Sequence, residues 1–410
     1  MTSSPANLPT DRVSNPQRRQ LLAGSAAALA AAGMGGIHRT AAAQASTAKP
    51  LPPYVAWKNP EAMIVHSTNT VETKRSAFGS SVITPSDQLY IRNNLPAPNE
   101  SIVANRDAWM VAVEGVNKPR QLSIAELKTI GLETTAMVLQ CSGNGRGMFP
   151  SKPSGTPWQV GAAGCVIWSG VPVRALVDAL GGVAGGNQYM TGTGGETIPA
   201  GIDPLTVMVE RSMPLESMGD ALLAWEMNGE PIPLAHGGPL RLIVPGYTGV
   251  NNVKYLKRLA FTPAQSEAAI QKTGYRLHPP GTKSNPDFPS VWKMDVKSWV
   301  NSPLPERGTL KAGLVQVQGV AFGGFNAVKG VEVSFDDGKT WHQARFIGPD
   351  LGRYAWRQFV VGAELRPGTY TIASRATDAQ GNVQPEQRQE NASGYNNNSW
   401  RDHAVKVTVA

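Results

Sequence analysis

The chain has 410 residues, enough for two domains, and its 41% hydrophobic and 17% charged content excludes a disordered protein. The 43 glycines and 32 prolines argue against a helical bundle and favour short strands joined by many loops. The net charge of +8 belongs partly to the first 45 residues, and no Lys/Arg run with interleaved aromatics is present, so we do not expect a nucleic-acid-binding protein.

The N-terminus has the pattern of an export signal. Arg18-Arg19 precede an Ala-rich apolar run that reaches Met34, and Ala43-Gln44-Ala45 supply small residues for a signal peptidase. The run is too short for a durable membrane anchor. Paired arginines before a weakly apolar run resemble the twin-arginine signal, and an ordinary secretory signal is the alternative. We expect residues 1–45 to be a twin-arginine signal peptide and the mature protein to work in the periplasm.

From about residue 55 to 280, strands, short helices and Gly/Pro-rich loops alternate. Ser123 precedes a helical pattern and Glu126 follows it by three positions, which is the capping-box arrangement. Pro172 and Gly181-Gly182 bracket a second short helix, with Pro in its first turn and Gly at its end. Leu223 to Met227 reads as a strand that runs into a tight turn. This mixture indicates an α+β domain.

Cys141 is one of two cysteines, and it follows an apolar run into a loop rich in glycine. In an oxidising compartment two cysteines default to a disulfide, here between Cys141 and Cys165. Alternatively, Cys141 is a metal ligand or nucleophile and Cys165 is a small buried hydrophobic residue. The residues alone leave both possibilities open. The sequence contains no C-x-x-C-H motif, so we expect no covalently attached c-type haem.

The last 120 or so residues differ in kind from the first domain. Val331, Val333 and Phe335 alternate with polar residues, and a similar alternation recurs around Tyr370 and from Val405 to the end. Short alternating strands separated by turns predict an all-β, immunoglobulin-like sandwich. Because no catalytic group of His, Cys or carboxylates stands out in it, we expect this second domain to serve in packing, as an interaction or dimerisation module.

Taken in order along residues 55–410, a set of fragments resembles the sulfite oxidase family of molybdenum enzymes, most of all its bacterial periplasmic sulfite dehydrogenases. The fragments are Cys141-Ser142-Gly143-Asn144, Trp158, Gly170-Val171-Pro172, Glu226-Met227-Asn228-Gly229, His236-Gly237, Pro239, Arg241, Val244-Pro245-Gly246 and Val253-Lys254. The resemblance implies a molybdopterin-binding catalytic domain of mixed sheets and short helices over residues 50–285. It also implies an immunoglobulin-like dimerisation domain over residues 290–410.

The same resemblance implies a cofactor, molybdenum with molybdopterin, and no haem. Cys141 would then be the thiolate ligand of the metal and could not also form a disulfide. The residues that the resemblance assigns to cofactor binding are Tyr90, Ile91, Arg92, Asn93, Asn94, His236, Arg241, Asn252, Val253 and Lys254.

The resemblance further implies an activity, the oxidation of sulfite to sulfate, with electrons passed to a periplasmic c-type cytochrome. Arg92 and Arg146 match substrate-contacting arginines, Trp158 an aromatic wall, and Tyr275 the active-site tyrosine that donates a hydrogen bond. The partners implied are a second copy of the chain or a cytochrome subunit. No nucleic acid and no membrane anchor are expected.

Several positions depart from the family pattern. Asn94 stands where vertebrate members have His, Gly145 stands where they have a second Arg, and Gly164-Cys165 replaces a more usual Gly-Asn. The family's arginine in the second domain has no match, since the corresponding segment 394–398 contains none. These departures keep other functions open: oxidation of another sulfur compound, a catalytic partner in a thiosulfate-oxidising assembly, reduction of protein methionine sulfoxide, or non-catalytic periplasmic binding.

Overall fold

The computed structural model describes residues 49–410, and the twin-arginine segment predicted over residues 1–45 lies outside them. The strands are β1 (Met63–Ser67), β2 (Thr70–Thr73), β3 (Ile91–Arg92), β4 (Met110–Glu114), β5 (Arg120–Ser123), β6 (Glu133–Gln140), β7 (Ala163–Pro172), β8 (Tyr189–Gly194), β9 (Glu210–Pro214), β10 (Leu222–Met227), β11 (Glu230–Pro231), β12 (Arg241–Ile243), β13 (Leu256–Thr262), β14 (Lys297–Ser302), β15 (Gly313–Phe322), β16 (Val328–Ser334), β17 (His342–Gln343), β18 (Arg345–Ile347), β19 (Arg357–Leu365), β20 (Gly368–Asp378) and β21 (Val405–Val409).

Helices are few and short. The α-helices are α1 (Ile124–Ile130), α2 (Val173–Ala179), α3 (Pro204–Val207) and α4 (Ala269–Lys272). The 3-10 helices are Pro53–Val55, Pro60–Ala62, Arg75–Ala77, Glu100–Val103, Arg106–Ala108, Arg146–Met148, Leu215–Asp220, Leu234–His236, Gly249–Asn251 and Pro305–Arg307. Among residues 49–410, none of these helices has the length and apolar character that crossing a membrane requires.

Local signals in the sequence account for the helix boundaries. Helix α1 carries the expected capping box, because the Ser123 hydroxyl accepts from the Glu126 N–H and the Glu126 carboxylate accepts from the Ser123 N–H. Helix α2 begins at Val173, so Pro172 is its N-cap residue and does not lie inside the first turn.

Three sheets build the first part of the described chain. One has the strand order β1-β2-β3, and another has the order β11-β10-β7-β6, with β12 also paired to β10. The third has the order β5-β4-β13-β8-β9, in which β13 runs parallel to β4. A core that includes Val111, Leu176, Leu223, Leu242 and Leu259 joins strands of these sheets to α1 and α2.

Two four-stranded sheets form the second part, in the orders β14-β15-β19-β18 and β17-β16-β20-β21. All of their strand pairs are antiparallel. Their inward side chains, among them Val317, Val333, Phe359, Ile372 and Val407, share one core. The predicted fold class, α+β with an all-β second domain, is confirmed.

The sheet that contains β6 and β7 packs directly against the sandwich of the second part. Cys165 and Val138 lie in one buried cluster with Trp299, Phe322 and Trp356 of the sandwich. In addition, the Val138 N–H donates to the Tyr354 carbonyl at 2.8 Å. Strand β6, which leads to Cys141, is therefore held in place by residues of the sandwich.

Candidate active site

Cys141 lies immediately beyond the end of β6. Its N–H donates to the Ala162 carbonyl at 2.9 Å, and its own carbonyl accepts from the Asn144 N–H at 2.9 Å, which closes a tight turn. Gly145 continues the turn with a φ of 91°, a conformation that glycine adopts without strain. The turn leaves the largely buried Cys141 side chain on the border of two cavities.

Both cysteines are free thiols. Cys165 lies opposite Val138 in the β6–β7 ladder and points into the cluster between the sheets and the sandwich. The disulfide alternative is therefore wrong, because the Cys141 side chain lies at the cavities and the Cys165 side chain lies in the buried cluster. Burial raises the pKa of Cys165, so this thiol stays protonated.

The two cavities meet at four residues, Arg92, Asn93, Cys141 and Tyr275. The first cavity has about 620 Å³ of empty space, including space open to solvent, and is also lined by Tyr90, Asn94, Leu139, Glu196, Val209, His236, Arg241, Gly249, Val250, Asn252, Val253 and Lys254. The second cavity has about 760 Å³ on the same measure and is also lined by Ser67, Asn69, Thr70, Arg146, Ser154, Gly155, Thr156 and Tyr395.

Most of the predicted site residues come together here, and two do not line either cavity. Ile91 is fully buried in a small core with Val55 and Val71. Trp158 is also fully buried, and its ring packs edge-on against Tyr90 with centroids 6.2 Å apart. Trp158 therefore supports the wall of the first cavity from behind.

Buried cations and amides surround the first cavity. Lys254 Nζ donates to Asn93 Oδ1 at 2.6 Å, and Arg241 donates to the His236 carbonyl at 2.8 Å and to the Asn252 carbonyl at 3.0 Å. These bonds fix each side chain in one orientation, so the positive groups are organised before any ligand arrives.

Lys58 belongs to the same cluster, although nothing in its sequence surroundings marks it. Its Nζ donates to the Ser86 carbonyl at 2.8 Å and the Leu89 carbonyl at 2.6 Å, and it lies 3.0 Å from Nε2 of His236. The same Nε2 also lies 3.4 Å from the Ser86 carbonyl, so Lys58 and Ser86 together contact this edge of the His236 ring. Lys58 thereby orients His236.

Lys58, His236, Arg241 and Lys254 form a cation cluster whose positive charge is not neutralised by a paired carboxylate in the described part of the chain. Burial lowers the pKa of Lys58 to about 7, and burial together with neighbouring cations lowers the pKa of both His236 and Lys254 well below their usual values. Lys58, Arg241 and Lys254 form no ion pair with any carboxylate in residues 49–410. An anion with several oxygens, such as a phosphate, fits this environment.

Glu196 is the one acidic residue among the described residues that line the two cavities, and sequence reasoning missed it. Burial raises its pKa to about 7, and Lys254 acts in the opposite direction. Its carboxyl group is therefore partly protonated near neutral pH and can donate as well as accept a hydrogen bond.

The second cavity is positive and contains no carboxylate among its described lining residues. Arg92 donates from Nη1 to the Asn93 carbonyl. Burial lowers the pKa of Arg92, but Tyr275 and Cys141 outweigh this effect and the net pKa is raised, so its charge is permanent. Arg146 is the second cation of this cavity.

The second domain also contributes to the site, because its loop 391–398 reaches the turn that follows Cys141. The Asn396 N–H donates to the Ser142 carbonyl at 2.9 Å, and Asn397 Nδ2 donates to the Gly145 carbonyl at 3.1 Å. A Cβ atom at Gly145 would lie 3.0 Å from Cβ of Asn397, so this close approach favours glycine there. The loop thereby brings its tyrosine, Tyr395, to the second cavity.

Comparisons with known proteins agree with this geometry. Residues 96–270 match the family described as oxidoreductase molybdopterin binding domain, and residues 289–410 match the Mo-co oxidoreductase dimerisation domain. Sulfite oxidase of Gallus gallus is 31% identical over 74% of this chain and 68% of its own length. Mitochondrial sulfite oxidase of Homo sapiens is 31% identical over 80% of this chain, and that of Drosophila melanogaster is 30% identical over 80%.

The chain spans less than two thirds of two of these relatives, 62% of the human protein and 59% of the fly protein. Among solved structures, the sulfane dehydrogenase SoxCD from Paracoccus pantotrophus matches with a TM-score of 0.70 and 25% identity, over 84% of this chain and 89% of that chain. Together with the free, cavity-lining Cys141 and the cation cluster, these matches identify the protein as an oxidoreductase of the sulfite oxidase family, whose cofactor is molybdenum held by molybdopterin.

Proposed function

We propose that the protein oxidises sulfite to sulfate in the periplasm and passes the electrons to a c-type cytochrome. The observation that carries this proposal is the second cavity, which joins Cys141 to Arg92 and Arg146 and has no carboxylate among its described lining residues. A small anion is attracted to such a pocket, since both cations are fixed and no negative side chain opposes them.

The first cavity is the proposed cofactor site. Cys141 would supply the metal ligand, and the cation cluster of His236, Arg241 and Lys254, with Lys58 behind it, would hold the phosphate. Gly249 leaves room beside the metal ligand, because a Cβ atom there would lie 2.9 Å from the Tyr90 hydroxyl. When bound, the cofactor transfers oxygen to sulfur and takes up two electrons.

The side chains of the second cavity would act on the substrate. Arg92 and Arg146 would bind the sulfite oxygens with charge-assisted hydrogen bonds and leave the sulfur lone pair free to face the proposed metal site. The Tyr275 hydroxyl, on the border of both cavities, donates a further hydrogen bond. The reaction consumes one water and releases sulfate, two protons and two electrons, so a one-electron acceptor is needed twice for each turnover.

The proposed periplasmic location and the proposed electron acceptor are inferred from the sequence. A twin-arginine signal over residues 1–45 would export the folded, cofactor-loaded protein. A soluble c-type cytochrome would then receive the electrons, either as a transient partner or as a subunit in a heterodimer. A homodimer formed through the second domain is the other proposed assembly, and residues 289–410 match a dimerisation domain.

Steady-state turnover of the molybdenum-loaded protein with sulfite tests this function. Cytochrome c serves as the acceptor, ferricyanide as a second acceptor, and a molybdenum-free preparation as the control. We expect sulfite-dependent reduction of both acceptors and formation of sulfate. If a fully loaded preparation oxidises no sulfite with cytochrome c and none with ferricyanide, the assignment is refuted.

Oxidation of sulfane sulfur is the second candidate. The match to the sulfane dehydrogenase SoxCD covers 89% of that chain, and the space in the second cavity that water-sized molecules can enter, about 320 Å³, is much larger than a sulfite ion. Its hydroxyl and amide lining, which includes Ser67, Asn69 and Thr156, suits sulfur attached to a larger, less charged carrier. A persulfide-bearing cysteine peptide as substrate, compared with sulfite at equal concentration, distinguishes the two activities by their kcat/KM values.

A further inference from the structure

Arg146 is held by residues from both domains. Its Nε donates to the Ser393 carbonyl at 2.8 Å, and its Nη1 donates to the Thr156 carbonyl at 3.1 Å. Its guanidinium carbon lies 5.3 Å from the centre of the Tyr395 ring, within the range of a cation–π contact. Nη2 makes no hydrogen bond to any of residues 49–410, so this nitrogen is available to an anion in the second cavity.

The Tyr395 ring is itself fixed by a stack. It lies parallel to the Tyr275 ring, with an interplanar angle of 12° and centroids 5.1 Å apart. The guanidinium carbon of Arg211, which is fully buried, lies 5.5 Å from the centre of the Tyr275 ring. Arg211, Tyr275, Tyr395 and Arg146 therefore form one continuous stack across the boundary between the domains.

Glycines leave the Arg146 side chain little freedom. A Cβ atom at Gly143 would lie 2.5 Å from Nη2 of Arg146, and one at Gly155 would lie 2.9 Å from Nη1. A Cβ atom at Gly394 would lie 2.9 Å from Cγ of the same side chain. The Arg146 side chain is thus enclosed by the backbone at three glycine positions, so its orientation is set before an anion binds.

We propose that Tyr395 is a positioning residue supplied by the second domain, which holds Arg146 so that its free Nη2 edge binds the substrate oxyanion. The proposal rests on the proposed function in one respect, that the second cavity is where a sulfur oxyanion binds. It deepens that function, because it names what makes the pocket bind anions selectively. Tyr395, a neutral aromatic residue of the second domain, acts through Arg146 of the first domain.

Substitution of Tyr395 tests the proposal in the cofactor-loaded protein. Tyr395→Leu removes the ring, Tyr395→Phe keeps the ring and removes the hydroxyl, and Tyr370→Leu is the matched control, since Tyr370 belongs to the sandwich and donates only to the Arg366 carbonyl. Calorimetry measures the Kd of sulfate as the probe anion at constant ionic strength, and thermal unfolding verifies that each variant is folded. Sulfite kinetics then separate KM from kcat.

We expect Tyr395→Leu to raise the Kd of sulfate about tenfold, in proportion to the lost cation–π contact, and to raise the KM for sulfite more than it lowers kcat. Tyr395→Phe should restore most of the lost binding. Unchanged sulfate binding in a folded Tyr395→Leu protein would overturn the proposal, and so would an equal loss in Tyr395→Phe. Because sulfate binding needs no turnover, a failure to oxidise sulfite would affect the proposed function and leave this test intact.

Discussion

Cys141 and Cys165 lie in surroundings that suit opposite chemistry. Cys141 borders two cavities with Arg92 beside it, whereas Cys165 is enclosed by aromatic residues such as Trp299 and Trp356. A thiolate needs neighbouring positive charge, and an apolar enclosure keeps a thiol protonated. Of the two, Cys141 alone therefore lines a cavity in which a metal could bind its sulfur.

The two cysteines can be tested as a pair. Cys141→Ser should abolish turnover because it removes a metal ligand. It should leave the free energy of unfolding of the cofactor-free protein nearly unchanged, because serine replaces the buried cysteine with a side chain of similar size. Cys165→Ala should keep turnover and lose about 1 kcal/mol of stability, since it leaves a small void in a packed cluster. Turnover assays with ferricyanide and urea denaturation measure both effects. Wild-type turnover in Cys141→Ser would contradict the ligand role.

Arg92 lines both cavities, so it bears on substrate and cofactor alike. Arg92→Met should raise the KM for sulfite by about tenfold or more, because it deletes a charge-assisted hydrogen bond from an anion pocket. Arg345→Met, at an exposed position of the sandwich, serves as the control. An unchanged KM in a molybdenum-loaded Arg92→Met protein would place the substrate elsewhere.

Lys58 should matter for cofactor retention. Lys58→Met removes the group that contacts Nε2 of the His236 ring, so we expect roughly tenfold weaker cofactor binding, about the size of one lost buried hydrogen bond. Molybdenum and pterin content per protein after dialysis, compared with the exposed-site variant Lys311→Met, gives the measurement. Equal retention in the two variants would show that Lys58 has only a structural role.

At the scale of elements, local patterns were read correctly wherever the physical cause is itself local. The capping box of α1 is an interaction between Ser123 and Glu126, and the strand alternation of β16 follows from the period-two geometry of a strand. Loop 391–398 could not be predicted in this way, because its contacts with Ser142 and Gly145 depend on how the sandwich packs against the first domain.

The capping box gives an element-scale prediction. Ser123→Ala should lower the free energy of unfolding by about 1 kcal/mol, because the Glu126 N–H in the first turn loses its hydroxyl acceptor. Sulfite turnover should not change, since Ser123 does not line either cavity. Urea denaturation followed by circular dichroism measures the change in stability, and a loss of activity at unchanged cofactor content would contradict the assignment of α1 to the scaffold.

For the molecule as a whole, the α+β class and the all-β second domain could be predicted, because composition and alternation are distributed along the chain. The role of Tyr395 in the site could not, since this residue stands in an Asn-rich segment with no recognisable chemical motif. Lys58 was missed for a related reason: a lysine is ordinarily exposed, and only the fold reveals that this one is buried beside His236.

Cofactor removal should make stability depend on pH in a definite direction. The pKa of Lys58 is lowered to about 7 in the folded chain, and that of Lys254 is lowered well below its usual value, whereas both are near 10.5 when unfolded. Above pH 7 the unfolded state therefore binds more protons, and the stability of the cofactor-free protein rises with pH. A bound phosphate removes this penalty, so the melting-temperature difference between loaded and cofactor-free protein should shrink from pH 7 to pH 10. A constant difference would contradict the cation-cluster account.

X-ray absorption at the molybdenum edge tests the central claim, a bond between Cys141 and molybdenum, most directly. The spectra compare wild-type protein with Cys141→Ser and Cys165→Ala at equal metal content. We predict that Cys141→Ser loses one sulfur scatterer and that Cys165→Ala matches the wild type. An identical sulfur shell in wild type and Cys141→Ser would contradict the claim.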